Sequence, residues 1–172
     1  MKMERPILSG QVWKFPENIN TDLILPGRAQ YFSEEEQKEV VFEANRPGWI
    51  REIQEGDIII AGRNFGMGSS RPAARSLRNI GIGCLVADSI NGLFFRNCVN
   101  WGFLALECPG ISDSFNEGDQ AIVSFEDFSI TNKISGEVLY AKAIPDSLLF
   151  TMKAGGVLPV LEAEGLISEA QV

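Results

Sequence analysis

The sequence predicts a mixed α/β fold, with a parallel β-loop-α-β-α-β core beside a separate, strand-rich portion. Two observations carry this. Between residues 57 and 107, short continuous apolar runs alternate with helix-type periodicity, as strands covered on both faces do when helices connect them. Between residues 120 and 141 the chain instead has short alternating strands broken by turns, the pattern of antiparallel hairpins. A length of 172 residues fits a single domain over 1–172, and 45% hydrophobic with 22% charged residues is a globular composition.

Taken in order, Ile7 to Phe15 has the composition of a first strand, and residues 16 to 27 form an irregular, turn-rich stretch. Ser33-Glu34-Glu35-Glu36 is a capping box that opens a helix to about Ala44, and Pro47-Gly48 ends it. Asp57 to Ala61 is a strand buried on both faces, followed by a glycine-rich loop from Gly62 to Ser70. The next helix is expected from Arg71 to Ile80, with Ala73, Ala74, Leu77 and Ile80 on one face. Pro72 sits in its first turn, where a missing N–H costs nothing. Cys84 to Ala87 is a second apolar strand. Asp88-Ser89 are expected to cap a helix carrying Ile90, Leu93, Phe94 and Cys98, and Phe103 to Glu107 is a third strand. Gln120–Phe125, Phe128–Asn132 and Glu137–Ala141 read as antiparallel strands. Pro145–Ala154 and Pro159–Ser168, parted by Gly155-Gly156, read as closing helices.

Composition excludes several functions. A net charge of −8 argues against nucleic acid and against an anionic membrane surface, since both need a basic face. With no histidine, this chain cannot build a Ser-His-Asp or Cys-His pair, nor a His-ligated zinc site. The three cysteines, Cys84, Cys98 and Cys108, are widely spaced without a CxxC, so no metal or iron–sulfur site is expected within the chain. They read as buried small hydrophobes in a reducing compartment. The start of the sequence lacks the apolar stretch of a signal peptide, and no apolar run approaches the roughly 18 residues of a membrane helix; a cytoplasmic protein is expected.

The segment Gly62 to Arg71 carries the strongest chemical signal. Gly66 and Gly68 let the backbone turn tightly and approach a ligand. Ser69 and Ser70 fall at the expected helix start, where unpaired N–H groups favour an anion, and the Arg71 guanidinium matches a carboxylate or phosphate. The same residues also fit a plain glycine-rich turn with a serine cap. The loop follows the carboxyl end of a buried strand, where open α/β sheets place ligands. It is neither a Walker A loop, lacking the lysine, nor a dinucleotide fingerprint, lacking the third glycine. Arg71, Arg75 and Arg78 share one expected helix face, either solvated or open to an acidic partner or substrate. A second candidate is Thr21-Asp22 with Pro26-Gly27-Arg28, which equally fits an Asx-turn at Asp22 and a solvated Arg28. Phe95-Arg96-Asn97, Asn100 and Gly102 fit better as structural ties to the following strand.

Three motifs follow one another in this chain: Asn18-Ile-Asn-Thr-Asp-Leu-Ile-Leu-Pro-Gly-Arg28, Asn64-Phe-Gly-Met-Gly-Ser-Ser-Arg71 and Phe95-Arg-Asn-Cys-Val-Asn-Trp-Gly102. In that order the chain resembles the aconitase swivel domain, most closely the small-subunit family of 3-isopropylmalate dehydratases, over most of its length. The resemblance implies a swivelling β/β/α domain working over a separate large subunit that carries a 4Fe-4S cluster, with no cofactor bound by this chain. It implies a hydro-lyase acting on a small malate-type 2-hydroxy diacid, as in leucine biosynthesis. Carried over, Ser69 matches the serine that acts as alkoxide base, and Arg71 the arginine that binds a substrate carboxylate. Thr21 and Asp22 match a Thr-Asp pair lining the site, Asp22 with a catalytic part. Arg28 matches a second anchor, and Ser70 and Gly68 complete the substrate-binding loop. A serine alkoxide needs converging N–H dipoles and a nearby cation, and this loop offers both.

Two departures separate this chain from the pattern. Pro72-Ala73-Ala74 stands where the family continues with Glu-His or Glu-Asn. The specificity segment after Arg28 reads Ala29, Gln30, Tyr31, Phe32 rather than Tyr-Leu. The substrate therefore stays open among isopropyl-, methyl- and dimethyl-substituted malates and a homocitrate-like triacid, with Tyr31 and Phe32 leaning toward an apolar side group. Small chains of cluster-dependent phosphomevalonate dehydratases lack the Asn-Phe-Gly-x-Gly-Ser-Ser-Arg loop. A non-catalytic anion-binding module is the alternative from outside enzymology. Isolated from its large subunit, such a chain leaves a surface exposed on which a homo-oligomer can form.

Overall fold

The computed structural model describes residues 4–68 and 71–168. Seven strands form one sheet in the order β4-β3-β2-β1-β5-β6-β7. These are β1 (Ile7–Phe15), β2 (Ile58–Ala61), β3 (Cys84–Ala87), β4 (Ala105–Glu107), β5 (Gln120–Ser124), β6 (Ser129–Asn132) and β7 (Val138–Tyr140). β1 joins the two halves. Its first part, Ile7 to Gln11, pairs antiparallel with β5, and its second, Val12 to Phe15, pairs parallel with β2. β2, β3 and β4 continue the parallel half, and β6 and β7 the antiparallel half. The expected class, a parallel core with added antiparallel strands, is the one observed.

Continuous apolar strands serve two cores at once. Ile59, Ala61, Leu85 and Ala87 face one cluster, while Ile58, Ile60, Cys84 and Val86 face the other. The first face is covered by α3 (Ala73–Asn79) through Ala73, Ala74 and Leu77, and by α4 (Gly92–Trp101) through Phe94 and Cys98. The second is covered by Ile111, Phe115, the strands β5 and β6, and Leu149 of α5 (Asp146–Lys153). Each strand is therefore apolar at every position, because neither face meets water.

Several expected boundaries move, each for a physical reason. The helix opened by the Ser33 capping box, α2 (Glu34–Glu39), stops short of Ala44. Phe42 takes a positive φ of 55°, which turns its ring into the core against Phe15 at 4.3 Å and Trp49 at 5.2 Å between ring centroids. The turn-rich stretch before Gly27 contains a helical turn, α1 (Thr21–Ile24), capped by the Asn20 side chain, which accepts from the Asp22 N–H at 2.8 Å. Asp88 and Ser89 do not cap α4; Asn91 does, accepting from Leu93 N–H at 3.1 Å. Asp88 is engaged by the Ser112 backbone and hydroxyl, and the Ser89 hydroxyl accepts from Asn64 N–H at 2.8 Å. α3 starts at Ala73 with Pro72 as its N-cap, so Arg71 belongs to the loop rather than to the helix. The last helix, α6 (Val157–Ala163), starts directly after Gly156.

Candidate active site

Three loops leave the carboxyl ends of β1, β2 and β3 and are stitched together by backbone pairing. The first two carry the Asn18–Arg28 and Asn64–Arg71 motifs, and the third leads into α4, which holds Phe95 to Trp101. Asn20 bridges Met67 and Phe65 bridges Ile90, both in parallel sense. Gly66 N–H donates to Ile19 O at 2.7 Å, Thr21 N–H to Met67 O at 2.8 Å, and Asn91 N–H to Phe65 O at 2.8 Å. The parallel half of the sheet thus carries on, residue by residue, into the loops that hold the polar groups. Glycine is required where they cross. Gly66 has φ 81°, and a Cβ there would lie 2.2 Å from Phe94 Cγ; Gly68 has φ 101°, and a Cβ would lie 2.9 Å from Asn20 Oδ1. The same Asn20 oxygen caps α1, so the glycine loop and the Thr21-Asp22 turn are built around one side-chain amide.

On this platform Arg71 meets Asp22. Nε and Nη2 of the guanidinium both lie 3.0 Å from Asp22 Oδ1. The Arg71 side chain is mostly buried, at 22% exposure, whereas Asp22 stands 56% exposed, so the cation is fixed in the wall and the carboxylate faces outward. Thr21 is buried and contributes its backbone to the Met67 link. Beside Arg71 opens a cleft of about 470 Å³ whose walls include Pro72, Asn97, Trp101 and Leu158. Pro72 thus places an apolar surface on the cleft beside Arg71.

The other expected residues fall at different distances from this centre. Ser69 and Ser70 lie outside the described residues. Gly68 borders the centre through Asn20. Arg28 turns away toward Glu43, donating from Nη1 and Nη2 to its two oxygens at 2.6 and 2.8 Å, with its Cζ 5.7 Å from the Phe32 ring centroid. Within the short 3-10 turn Gly27–Tyr31 and its C-cap Phe32, Ala29 is buried and gives its carbonyl to Gln37, while Gln30 and Tyr31 are exposed, Tyr31 at 84%. Phe32 is partly buried against the first core. The sequence gives no hint of Glu43 as a partner, because the early end of α2 is what brings it back.

The arginines expected along one helix face are drawn into the fold. Arg75 pairs with Glu34 at 3.1 Å and lies over the Trp101 ring, its Cζ 4.8 Å from the centroid. Arg78 Nη1 clamps two carbonyls, Trp101 O at 2.5 Å and Gly155 O at 3.0 Å. Neither stands as an open face for an acidic partner. Gly102 ends α4 in the left-handed conformation, with Cys98 O and Val99 O capped by its N–H. Within the third motif Gly102 has the structural role expected of it, while Asn97, Asn100 and Trp101 line the cleft beside Arg71, and Asn91 rather than the motif's own polar residues starts the helix.

Among the described residues, no group of three or more histidine, cysteine or acidic side chains could hold a metal ion. The cysteines sit apart on β3, on α4 and beyond β4, all buried. Burial pushes the Cys84 thiol up to about 12 and the Cys98 thiol higher still. Burial and then the Asp88 charge push Cys108 up as well. Protonated, separated thiols do not fit an iron–sulfur cluster, which needs thiolates converging on one point.

This architecture has close counterparts. Residues 14–110 match the model of the aconitase C-terminal domain. The isopropylmalate/citramalate isomerase small subunit of Methanocaldococcus jannaschii is 41% identical over 92% of this chain and 95% of its own. A 3-isopropylmalate dehydratase small subunit of Methanopyrus kandleri is 37% identical over 94% of this chain and 96% of its own. The crystal structure of a 3-isopropylmalate dehydratase (leuD) from Methanocaldococcus jannaschii superimposes with a TM-score of 0.87 at 25% identity, covering 97% of this chain and 100% of that one. The matched span runs from the end of β1 through β4 and so contains the three stitched loops and the Asp22–Arg71 pair: the chain belongs to the aconitase C-terminal domain family.

Proposed function

We propose that this chain is the small subunit of a hydro-lyase that removes and adds water across a malate-type 2-hydroxy diacid, in the manner of 3-isopropylmalate dehydratase. The observation that carries the reading is the Arg71 guanidinium, fixed in the wall by Asp22 at 3.0 Å and directly following the glycine loop that bears Ser69. A diacid substrate needs a cation to seat one carboxylate and a base to take a proton from carbon. Arg71 supplies the first. Ser69, as alkoxide, supplies the second, and the electron pair of the broken C–H bond forms the double bond as hydroxide leaves the neighbouring carbon. Gly68, Ser70 and Thr21 join them in the proposed substrate-binding set, and Asp22 holds the fork in register. In the segment Ala29 to Phe32, the exposed Gln30 and Tyr31 are the residues free to border the substrate's side group, while Arg28 would act as a second anchor only on leaving Glu43. Lewis-acid assistance to the departing hydroxyl belongs to a large-subunit partner carrying the iron–sulfur cluster, since this chain's thiols do not fit one.

The names of the relatives span isopropylmalate and citramalate, so a side group between methyl and isopropyl is the range to test. The chain is to be reconstituted anaerobically with a cluster-loaded large subunit from the same genome, and unsaturated diacid formation followed by ultraviolet absorbance across a panel of malates. Turnover of one malate, abolished by Ser69→Ala with substrate affinity retained, is the expected result. A stable complex that turns over none of the panel, or a fully active Ser69→Ala, overturns the reading.

A further inference from the structure

Gly27 opens the turn Gly27–Tyr31 behind Pro26, and its φ lies outside the left-handed region. The backbone there would accept any L-residue, so chain geometry does not explain the glycine. The Arg71 guanidinium does. A Cβ on Gly27 would lie 3.2 Å from Nη2, 3.6 Å from Cζ and 3.7 Å from Nη1 of Arg71. Asp22 Oδ1 in turn holds Nε and Nη2 at 3.0 Å. We propose that Gly27 is a positioning residue: its missing side chain forms the seat against which Asp22 sets the Arg71 fork for a substrate carboxylate.

The inference rests on the reading of Arg71 as the carboxylate anchor, and it deepens that reading by naming what fixes the anchor's angle. A methyl group at position 27 would have to displace Nη2 by a few tenths of an ångström while Asp22 keeps its grip on Nε and on that same nitrogen. The fork then tilts. Two parallel N–H···O bonds to a carboxylate are sensitive to such a tilt, whereas the folded chain is not. Gly68 differs, because its φ of 101° alone demands glycine.

The test is Gly27→Ala in the reconstituted two-subunit enzyme, alone and combined with Arg71→Lys. In the Arg71 background KM is expected to rise about tenfold with kcat within about twofold, as a misplaced binding group does. The melting temperature should not fall, since alanine removes freedom from the unfolded chain. In the Arg71→Lys background, Gly27→Ala should have no further effect on KM. Arg71→Lys raising KM while Gly27→Ala leaves it unchanged overturns the proposal alone, as does full additivity of the two changes. A drop in melting temperature with KM unchanged assigns Gly27 a purely structural part and also overturns it. An Arg71→Lys enzyme with unaltered KM instead overturns the anchor reading on which the proposal stands.

Discussion

Asp22 Oδ1 and Arg71 lie 3.0 Å apart, joining two loops separated by 49 positions in the chain. The pair is half in water on the Asp22 side, so it contributes little to stability, within about 1 kcal/mol. Its value is directional. Asp22→Asn keeps an oxygen for Nε and removes the charge that draws Nη2 to the same point. The expected outcome is an unchanged melting curve and a KM raised about fivefold to tenfold in the reconstituted enzyme. Equal losses in KM and in stability would count against a positioning part for Asp22.

Asn20 supports the same centre from below. Its amide oxygen caps α1 through Asp22 N–H at 2.8 Å and stands 2.9 Å from where a Gly68 Cβ would be. Asn20→Ala is expected to cost about 1 kcal/mol, the usual value of a lost cap. Gly68→Ala should cost about 1–3 kcal/mol through its positive φ and the contact with Asn20. Since part of the second cost is the clash with Asn20, the double variant should be less destabilised than the sum, measured by urea denaturation. Strict additivity would mean that the amide and the loop do not share a packing site.

Much of the fold was legible because it rests on local signals. The run Ile58 to Ala61 is apolar at each position, and that requires burial on both faces whatever surrounds it. Ser33 and Glu36 make their capping box within four residues, so the start of α2 is written where it occurs. What stayed hidden depends on distant partners. Asp88 looks like a cap until Ser112 is seen to occupy it, and Arg28, exposed as its sequence suggests, gains a partner only because the chain doubles back to bring Glu43. The site was legible as three motifs and as residue types. The stitching of Asn20 to Met67, and the choice of Asp22 rather than solvent as the partner of Arg71, follow only from the register of β1 on β2.

Arg78 shows how a periodic pattern can mislead. Its spacing with Arg71 and Arg75 suggests an open cationic face, yet Nη1 joins Trp101 O to Gly155 O, tying the end of α4 to the start of α6. Arg78→Met keeps the stem and removes both donors, leaving two partly buried carbonyls unpaired. A loss of about 2–3 kcal/mol is expected, as for hydrogen bonds to a charged group. Hydrogen exchange should quicken first in residues 155–163. Faster exchange confined to the sheet would place the clamp's effect elsewhere.

The buried thiols give a prediction about both chemistry and pH. Cys84 has an ordinary value of 9.0 and is pushed up to about 12 by burial, so the native state keeps its proton where the unfolded state releases it. The sign follows. The native preference is fully present below pH 9.0 and is lost as pH rises toward about 12, so Cys84→Ala should flatten the alkaline fall in stability over that window. At pH 8 a disulfide-exchange reagent should label Cys84 and Cys98 only after denaturation, since the thiolate is the reacting form. For the same reason, incubation of the chain alone with iron and sulfide should leave no cluster absorption. Fast labelling of Cys84 in the native protein, or a chromophore on the isolated chain, would show that its thiols are open to metal, and the assignment of the cluster to a partner would fail.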